Sequence, residues 1–137
     1  QNITIYGDGS QVRSFCFVDD LIGGIIQFMD ASNEFTGPVN LGNPNEITIN
    51  ELAAKIVEMV SSTGQLTYLE LPEDDPVRRQ PDITLAKKML DWDPAIQLDY
   101  GLKKTIDYFM DILKNIDVDL ISEKMTIYKK LAIPELV

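Results

Sequence analysis

Residues 3–21 read ITIYGDGSQVRSFCFVDDL, which is two apolar segments on either side of a glycine-containing turn. Ile3 and Ile5 alternate with their neighbours in a pattern typical of a short strand. The segment from Gly7 to Ser10 has turn chemistry, and the aromatic segment from Ser14 to Val18 predicts a second extended piece. We interpret this run as a strand, a tight loop and a second strand.

Helical periodicity dominates much of the remaining chain. Apolar residues at i, i+3, i+4, i+7 and i+8 predict a helix over 18–29, which Asp19 can cap. Thr48 and Glu51 match a capping box and predict the start of a second helix. Asp99 opens a final helix with one apolar stripe.

Short strands, loops and helices alternate through the rest of the sequence. Residues 39–41 and 66–71 predict short strands, and a charged loop bounded by prolines follows at 72–81. Asp82 can cap a short helix through Leu90. The class is therefore α/β or α+β, because strands this few and short cannot build a full doubly wound sheet.

The bulk composition excludes several kinds of function. A chain of 137 residues suits one modest domain, and its net charge of −10 argues against nucleic acid or an anionic membrane as partner. The absence of histidine excludes Ser-His and Cys-His nucleophile systems and histidine-based zinc sites. The single cysteine, Cys16, excludes an internal disulfide and fits a reducing compartment, so we expect a cytoplasmic protein.

The arginines are the most informative charged residues. The chain has three arginines and nine lysines, and most lysines lie on predicted helix faces. A guanidinium forks a phosphate or carboxylate in a way that lysine cannot, so arginines beside loops indicate an anion site. Alternatively, each arginine pairs with a nearby acid, and spacing alone leaves both interpretations open. The arginines are Arg13, Arg78 and Arg79, and the available acids are Asp74, Asp75 and Asp82.

Other motifs favour structural over catalytic roles. Residues 7–10 could form an amide nest for phosphate, but a plain hairpin turn is favoured, and Val12 stands where G-x-G-x-x-G needs its third glycine. Tyr100 and Lys104 have Tyr-x-x-x-Lys spacing, for which a chance match is favoured over a catalytic base. The acidic run at 73–75 lacks a further ligand, so we expect a solvated loop there. We assign no catalytic and no metal-binding residue.

Together these motifs resemble the C-terminal, substrate-binding portion of the extended short-chain dehydrogenase/reductases, the NAD-dependent epimerase/dehydratase family. Within that family, the charged loop and the tryptophan motif are most similar to the UDP-glucuronate decarboxylases. The resemblance runs from residue 1 to about residue 113. Its motifs are ITIYGDGSQVRSF (3–15), VDDL (18–21), VNLGNP (39–44), EDDP (73–76), RRQPDI (78–83), LDWDP (90–94) and GL (101–102).

The resemblance implies an α/β, α+β-like fragment that lacks most of a Rossmann sheet. The parent enzyme would bind NAD in an N-terminal Rossmann domain and oxidise UDP-glucuronate at C4. It would then release the carboxylate as carbon dioxide and yield UDP-xylose. The family's glycine loop and Tyr-x-x-x-Lys have no counterpart here, so we expect this chain alone to bind no NAD and to be inactive.

The resemblance also implies roles for particular residues. Arg13 would contact the UDP phosphates, and Arg79 would reach the diphosphate or the sugar end. Of the neighbours Arg78 and Arg79, Arg78 would be the less suited to contact the ligand. Asp82 would order the loop that carries both arginines. The residues close to the nucleotide would be Tyr6 and Gln11.

The abrupt start in a strand suggests a chain cut from its N-terminal half. We expect the surface that met the Rossmann domain to be exposed, or to be covered in a homodimer. Residues 1–113 would form the nucleotide-sugar-binding portion. Residues 114–137 would form a weakly amphipathic tail, in which a helix could extend to about Leu131. The alternatives are a fragment of a nucleotide-sugar 4-epimerase or 4,6-dehydratase, and a binding or interaction module without catalysis.

Overall fold

The structure, a computed structural model, describes residues 2–32 and 35–115. The chain divides into two compact units, 1–103 and 104–137, and the tail predicted at 114–137 lies almost entirely outside the described residues. In chain order the elements are β1 (Ile3–Tyr6), β2 (Val12–Ser14), α1 (Val18–Met29), β3 (Glu46–Thr48), α2 (Ile49–Met59), β4 (Leu66–Leu69), β5 (Arg78–Arg79), α3 (Thr84–Leu90) and α4 (Leu98–Asn115).

The α/β class and the four helices are confirmed, and α2 shows why its start was predictable. Thr48 Oγ1 accepts a hydrogen bond from Glu51 N at 3.1 Å, and the Glu51 carboxylate accepts one from Thr48 N at 2.9 Å. This reciprocal capping box satisfies donors that the first turn of a helix leaves unpaired. The hydrogen bonds from the Thr48 backbone and hydroxyl hold the pKa of Glu51 below its ordinary value.

Two predicted caps are wrong in detail. Phe17 is the N-cap of α1 and makes no side-chain capping bond, so Asp19 lies inside the first turn. A carboxylate there is favoured by the helix dipole and needs no capping geometry. Ile83 is the N-cap of α3, while the preceding Asp82 accepts a hydrogen bond from the backbone of Thr84.

The strands form two separate sheets. β1 and β4 pair in parallel, whereas β2 is the centre of a sheet of order β3-β2-β5, antiparallel to β3 and parallel to β5. The predicted hairpin is therefore wrong. Gly7 and Gly9, both with φ of +75°, turn the chain out of the first sheet and into the second.

Three further strand predictions need correction. The second extended segment is Val12–Ser14, earlier than expected. Residues 39–41 are not a strand, and Val39 and Leu41 pack against the core cluster. The loop predicted at 72–81 contains the two-residue strand β5, which is too short and too charged to show a strand pattern.

The principal core cluster consists of Ile83, Ala86 and Trp92. An indole before the turn at Asp93 and Pro94 predicts a packing anchor, and Trp92 is only 4% exposed, which confirms this prediction. Its indole Nε1 donates to the carbonyl of Asp20 at 3.0 Å, so the segment after α3 is tied to the first turn of α1. Cys16 packs against this cluster, although it lies after β2 and not within a strand.

Candidate anion-binding site

Arg13 and Arg79 lie side by side in the second sheet. Arg13 is the middle residue of β2, and Arg79 is its Cα partner on the parallel strand β5. Neighbouring strands are about 4.8 Å apart, and the side chains of directly paired residues leave the same face of a sheet. The register therefore brings together the two arginines to which the family resemblance assigns a ligand contact.

The guanidinium of Arg13 is already engaged. Its Nη2 donates to Asp75 Oδ1 at 2.5 Å, and its Nη1 donates to the carbonyl of Val12 at 2.8 Å. Only 19% of the Arg13 side chain and 32% of the Asp75 side chain are exposed, so solvent screens this pair less than a surface pair. For Arg13 the alternative of pairing with a nearby acid therefore holds, with Asp75 as the partner.

Arg79 is exposed and, within residues 2–32 and 35–115, makes no side-chain hydrogen bond or ion pair. Its backbone is held in place, because Val12 N donates to Val77 O at 3.0 Å at the start of the β2–β5 pairing. A guanidinium with a fixed backbone and unengaged donors can bind an oxyanion without first breaking another contact.

Arg78 leaves the opposite face of β5. Its Nε and Nη2 donate to the two carboxylate oxygens of Glu46, each at 2.6 Å. These hydrogen bonds lower the pKa of Glu46 and raise the pKa of Arg78. Arg78 thus ties β5 to β3 across β2, and its partner is not one of the three acids that the sequence suggested.

Gln11 and Tyr6, predicted to lie near a nucleotide, are joined to each other. Gln11 Nε2 donates to the carbonyl of Tyr6 at 2.6 Å, and Gln11 is 7% exposed. Tyr6 ends β1 and is half exposed. The buried Gln11 side chain therefore stabilises the glycine turn by bonding across it to the end of β1. The described hydrogen bonds connect neither the Tyr6 nor the Gln11 side chain to Arg13 or Arg79.

The glycine turn does not offer its Ser10 amide to a phosphate. Asp8 Oδ1 accepts hydrogen bonds from Ser10 Oγ at 2.6 Å and from Ser10 N at 2.9 Å. These bonds, that of the hydroxyl foremost, lower the pKa of Asp8. A carboxylate at this position repels a phosphate, so the structure favours the plain turn over the amide nest.

The same turn is fastened to the start of α2, a feature that sequence reasoning missed. The carbonyls of Gln11 and Gly9 accept hydrogen bonds from Ile49 N and Asn50 N, each at 3.1 Å. Asn50 Nδ2 also donates to the carbonyl of Asp8 at 2.8 Å. The capping box signalled the helix start, but no local signal shows which distant carbonyls accept its remaining donors. These bonds fix the loop that leads into β2 and so position its central arginine.

Asp82 orders the start of α3. Its Oδ1 accepts from Thr84 N at 2.9 Å, and the hydrogen bonds of Thr84, that of its side chain first, lower the pKa of Asp82. Beside it lies an open cavity of 390 Å³, which neither Arg13 nor Arg79 lines. The lining residues are Pro38, Asn40, Asp82, Thr84, Leu85 and Lys88.

The remaining candidate residues and kinds of site can also be located in the structure. Burial, with a smaller contribution from Asp20, raises the pKa of the Cys16 thiol. Tyr100 and Lys104 both lie in α4. Among the described residues no cluster of three or more His, Cys, Asp or Glu side chains could hold a metal ion. In the same part of the chain, no helix is long and apolar enough to cross a membrane.

Solved structures of UDP-sugar epimerases share this fold. UDP-glucose 4-epimerase from Thermotoga maritima, solved with UDP-glucose, gives a TM-score of 0.77 at 29% identity over 82% of this chain and 36% of its own. An epimerase from Methanothermobacter thermautotrophicus gives 0.80 at 27% identity over 83% of this chain and 34% of its own. The model of the NAD dependent epimerase/dehydratase family matches residues 1–42. The chain belongs to this family, the extended short-chain dehydrogenase/reductases.

Among curated proteins, the chain is similar to UDP-glucuronic acid decarboxylases. It is 47% identical over 107 residues to UDP-glucuronic acid decarboxylase 1 of Danio rerio, which is 78% of this chain and 25% of that protein. It is 43% identical over 115 residues to the decarboxylase 1 of Xenopus tropicalis, which is 84% of this chain and 27% of that protein. The chain therefore spans about a quarter of these relatives, and the resemblance expected from the motifs is confirmed.

Proposed function

We propose that this chain forms the UDP-sugar-binding part of an NAD-dependent UDP-glucuronate decarboxylase, in which Arg13 and Arg79 bind the diphosphate. The observation that carries this proposal is the direct pairing of the two arginines across β2 and β5. A diphosphate presents two adjacent anionic groups, and two adjacent guanidinium forks match them in charge and geometry. The 47% identity to the decarboxylase of Danio rerio supports the choice of sugar nucleotide.

Binding of UDP by the purified chain tests this assignment. Arg13→Ala and Arg79→Ala should each weaken UDP binding about tenfold to hundredfold in calorimetry, because each removes charged hydrogen bonds to phosphate. Lys87→Ala is the matched control, since Lys87 lies on α3 and the substitution removes one positive charge from its exposed ion pair with Asp93. Circular dichroism should show that all variants are folded. Unchanged affinity in both arginine variants would refute the assignment.

A second candidate is 4-epimerisation of a UDP-sugar. The UDP-glucuronic acid 4-epimerase of Bacillus cereus, solved with UDP-glucuronic acid and NAD, superposes with a TM-score of 0.77 at 25% identity. The two reactions differ in product, so the whole enzyme that contains this chain should be incubated with UDP-glucuronate and NAD. We expect carbon dioxide and UDP-xylose. Formation of the 4-epimer without carbon dioxide would favour the second candidate.

The described residues of this chain do not fit NAD. The glycine turn at 7–10 leads into β2 and not into a helix. The first amides of α2 that reach this turn are bonded to its carbonyls, and the Asp8 carboxylate accepts from the Ser10 amide, so these donors are not offered to a pyrophosphate. The cofactor would therefore be held by the remainder of the family enzyme. We infer that the isolated chain is inactive, and UDP-xylose formation by the purified chain would overturn this inference.

An apolar stripe on α1 supports the idea that further protein covers this chain. Its exposed side chains follow helical spacing, and Met29 is 75% exposed. We infer that the N-terminal Rossmann domain of the family enzyme packs here, with a homodimer as the alternative cover. Ile26→Glu should leave the melting temperature of the chain unchanged and reduce self-association in sedimentation. Unfolding by Ile26→Glu would instead assign the stripe to the chain's own core. The stripe consists of Val18, Ile22, Ile25, Ile26 and Met29.

A further inference from the structure

We propose that Asp75 competes with the ligand for Arg13: its carboxylate occupies the guanidinium in the ligand-free protein and leaves it when a diphosphate binds. The inference rests on the proposed function, because it concerns the same pair of arginines. It adds a residue that regulates the affinity of the site without belonging to the ligand contacts. The contact that carries it is the 2.5 Å bond from Arg13 Nη2 to Asp75 Oδ1.

The charges around the site explain why such a carboxylate is needed. Arg13 and Arg79 are paired residues on neighbouring strands, so their side chains leave the same face of the sheet and their like charges repel each other. Asp75 compensates the charge of Arg13, while Arg79 has no acidic partner within the described residues. The ligand-free site therefore carries one compensated and one uncompensated guanidinium.

The loop geometry allows Asp75 to leave Arg13 at little structural cost. Only one oxygen of the carboxylate is bound to the guanidinium, and a third of the side chain is exposed. The loop is fastened on either side of Asp75 by backbone bonds, Asp75 N to Pro72 O at 3.2 Å and Val12 N to Val77 O at 3.0 Å. Rotation of the Asp75 side chain therefore releases the arginine and leaves the β2–β5 pairing intact.

This competition has opposite effects on stability and on affinity. Asp75→Asn keeps the size of the side chain and removes its charge, so the melting temperature should fall because the two arginines lose their compensating charge. The affinity for UDP should rise about threefold to tenfold, because no carboxylate must be displaced and one repulsive charge is gone. A purely structural Asp75 would lower both quantities. Asp74→Asn is the matched control, since Asp74 is exposed and makes no described side-chain contact.

Calorimetry with UDP on the 137-residue chain tests the inference. Asp75→Asn should bind UDP more tightly than the wild type, and Asp74→Asn should not. In an Arg13→Ala background the gain should disappear, because it acts through that guanidinium. Asp75→Ser serves as a second variant with the same expected gain.

The outcomes separate the inference from the function on which it rests. If the wild type binds UDP and the Asp75 variants bind it with equal or lower affinity, the competition is overturned and the proposed function stands. Absence of UDP binding in the wild type and in both Asp75 variants overturns the two together. Loss of the fold in both Asp75 variants also overturns the competition, because a competitor is dispensable for folding.

Discussion

Gly23 and Gly24 are neighbours in α1, yet we expect opposite effects when each is replaced by alanine. A Cβ on Gly24 would lie 2.9 Å from Cε2 and Nε1 of Trp92 and 3.0 Å from Cδ2 of Leu41. A Cβ on Gly23 would meet no heavy atom within 4 Å. Adjacent glycines inside a helix can permit a close approach by another element, and the structure shows that only Gly24 does so.

The magnitudes follow from two opposing terms. Both substitutions gain about 0.8–1.0 kcal/mol of helix propensity. At Gly24 the indole must retreat by roughly 0.5–1 Å to restore ordinary carbon contacts of about 3.5–4.0 Å. Trp92 is 4% exposed and bound to the carbonyl of Asp20 at 3.0 Å, so it cannot retreat freely. Overpacking of this kind costs about 1–3 kcal/mol. The gain in helix propensity is the same in both variants, so it drops out of the difference between their free energies of unfolding. Gly24→Ala should therefore be about 1–3 kcal/mol less stable than Gly23→Ala.

Urea unfolding followed by tryptophan fluorescence measures this difference directly, because Trp92 is the only tryptophan. Gly23→Ala should be more stable than the wild type by about 1 kcal/mol, and both variants should keep the wild-type m value. A free energy of unfolding for Gly24→Ala equal to or above that of Gly23→Ala would refute the close packing of α1 on the indole.

Three further outcomes are expected. Gly9→Ala should lower both the melting temperature and the UDP affinity, because φ is +75° and a Cβ would lie 2.0 Å from Asn50 Oδ1; a wild-type melting curve would contradict this. The contribution of four carboxylates with lowered pKa to the free energy of unfolding should be constant from about pH 7 to about pH 5 in urea titrations. It should fall as the pH drops through and below their ordinary pKa values of 3.8 and 4.5, because protonation removes the hydrogen bonds that lower the pKa; an unchanged free energy in acid would count against these hydrogen bonds. Cys16 should react slowly with a disulfide reagent at neutral pH and faster in urea, because burial raises its pKa; equal rates would contradict its packing. The carboxylates concerned are Asp8, Glu46, Glu51 and Asp82.

Local signals in the sequence were sufficient for the helices and for the first strand. Thr48 and Glu51 are three residues apart, and their side chains and backbones satisfy each other without help from distant parts of the chain. Trp92 was recognisable as a packing residue because an indole before a proline turn has few other uses in a small domain. Both signals can be read within a few residues of the chain, although the contacts that bury Trp92 come from distant segments.

Strand pairing and the site depend on distant contacts, which is why the sequence indicated the arginines but not their arrangement. β5 has two residues and no periodicity, so nothing local shows that it joins β2. The pairs Arg13–Asp75 and Arg78–Glu46 both follow from that register. A reading confined to nearby acids found Asp75 and missed Glu46.

The register also explains why the two consecutive arginines of β5 have different surroundings. A slip of one residue between β2 and β5 would exchange the faces of Arg78 and Arg79. The bidentate pair of Arg78 with Glu46 opposes such a slip, because it holds Arg78 on the face away from Arg13. We therefore expect Arg78 to position Arg79 without touching the ligand. Glu46→Gln and Arg78→Ala should both weaken UDP binding several-fold, since each breaks the same contact. Weaker binding in Arg78→Ala alone would instead mean that Arg78 contacts the phosphates itself.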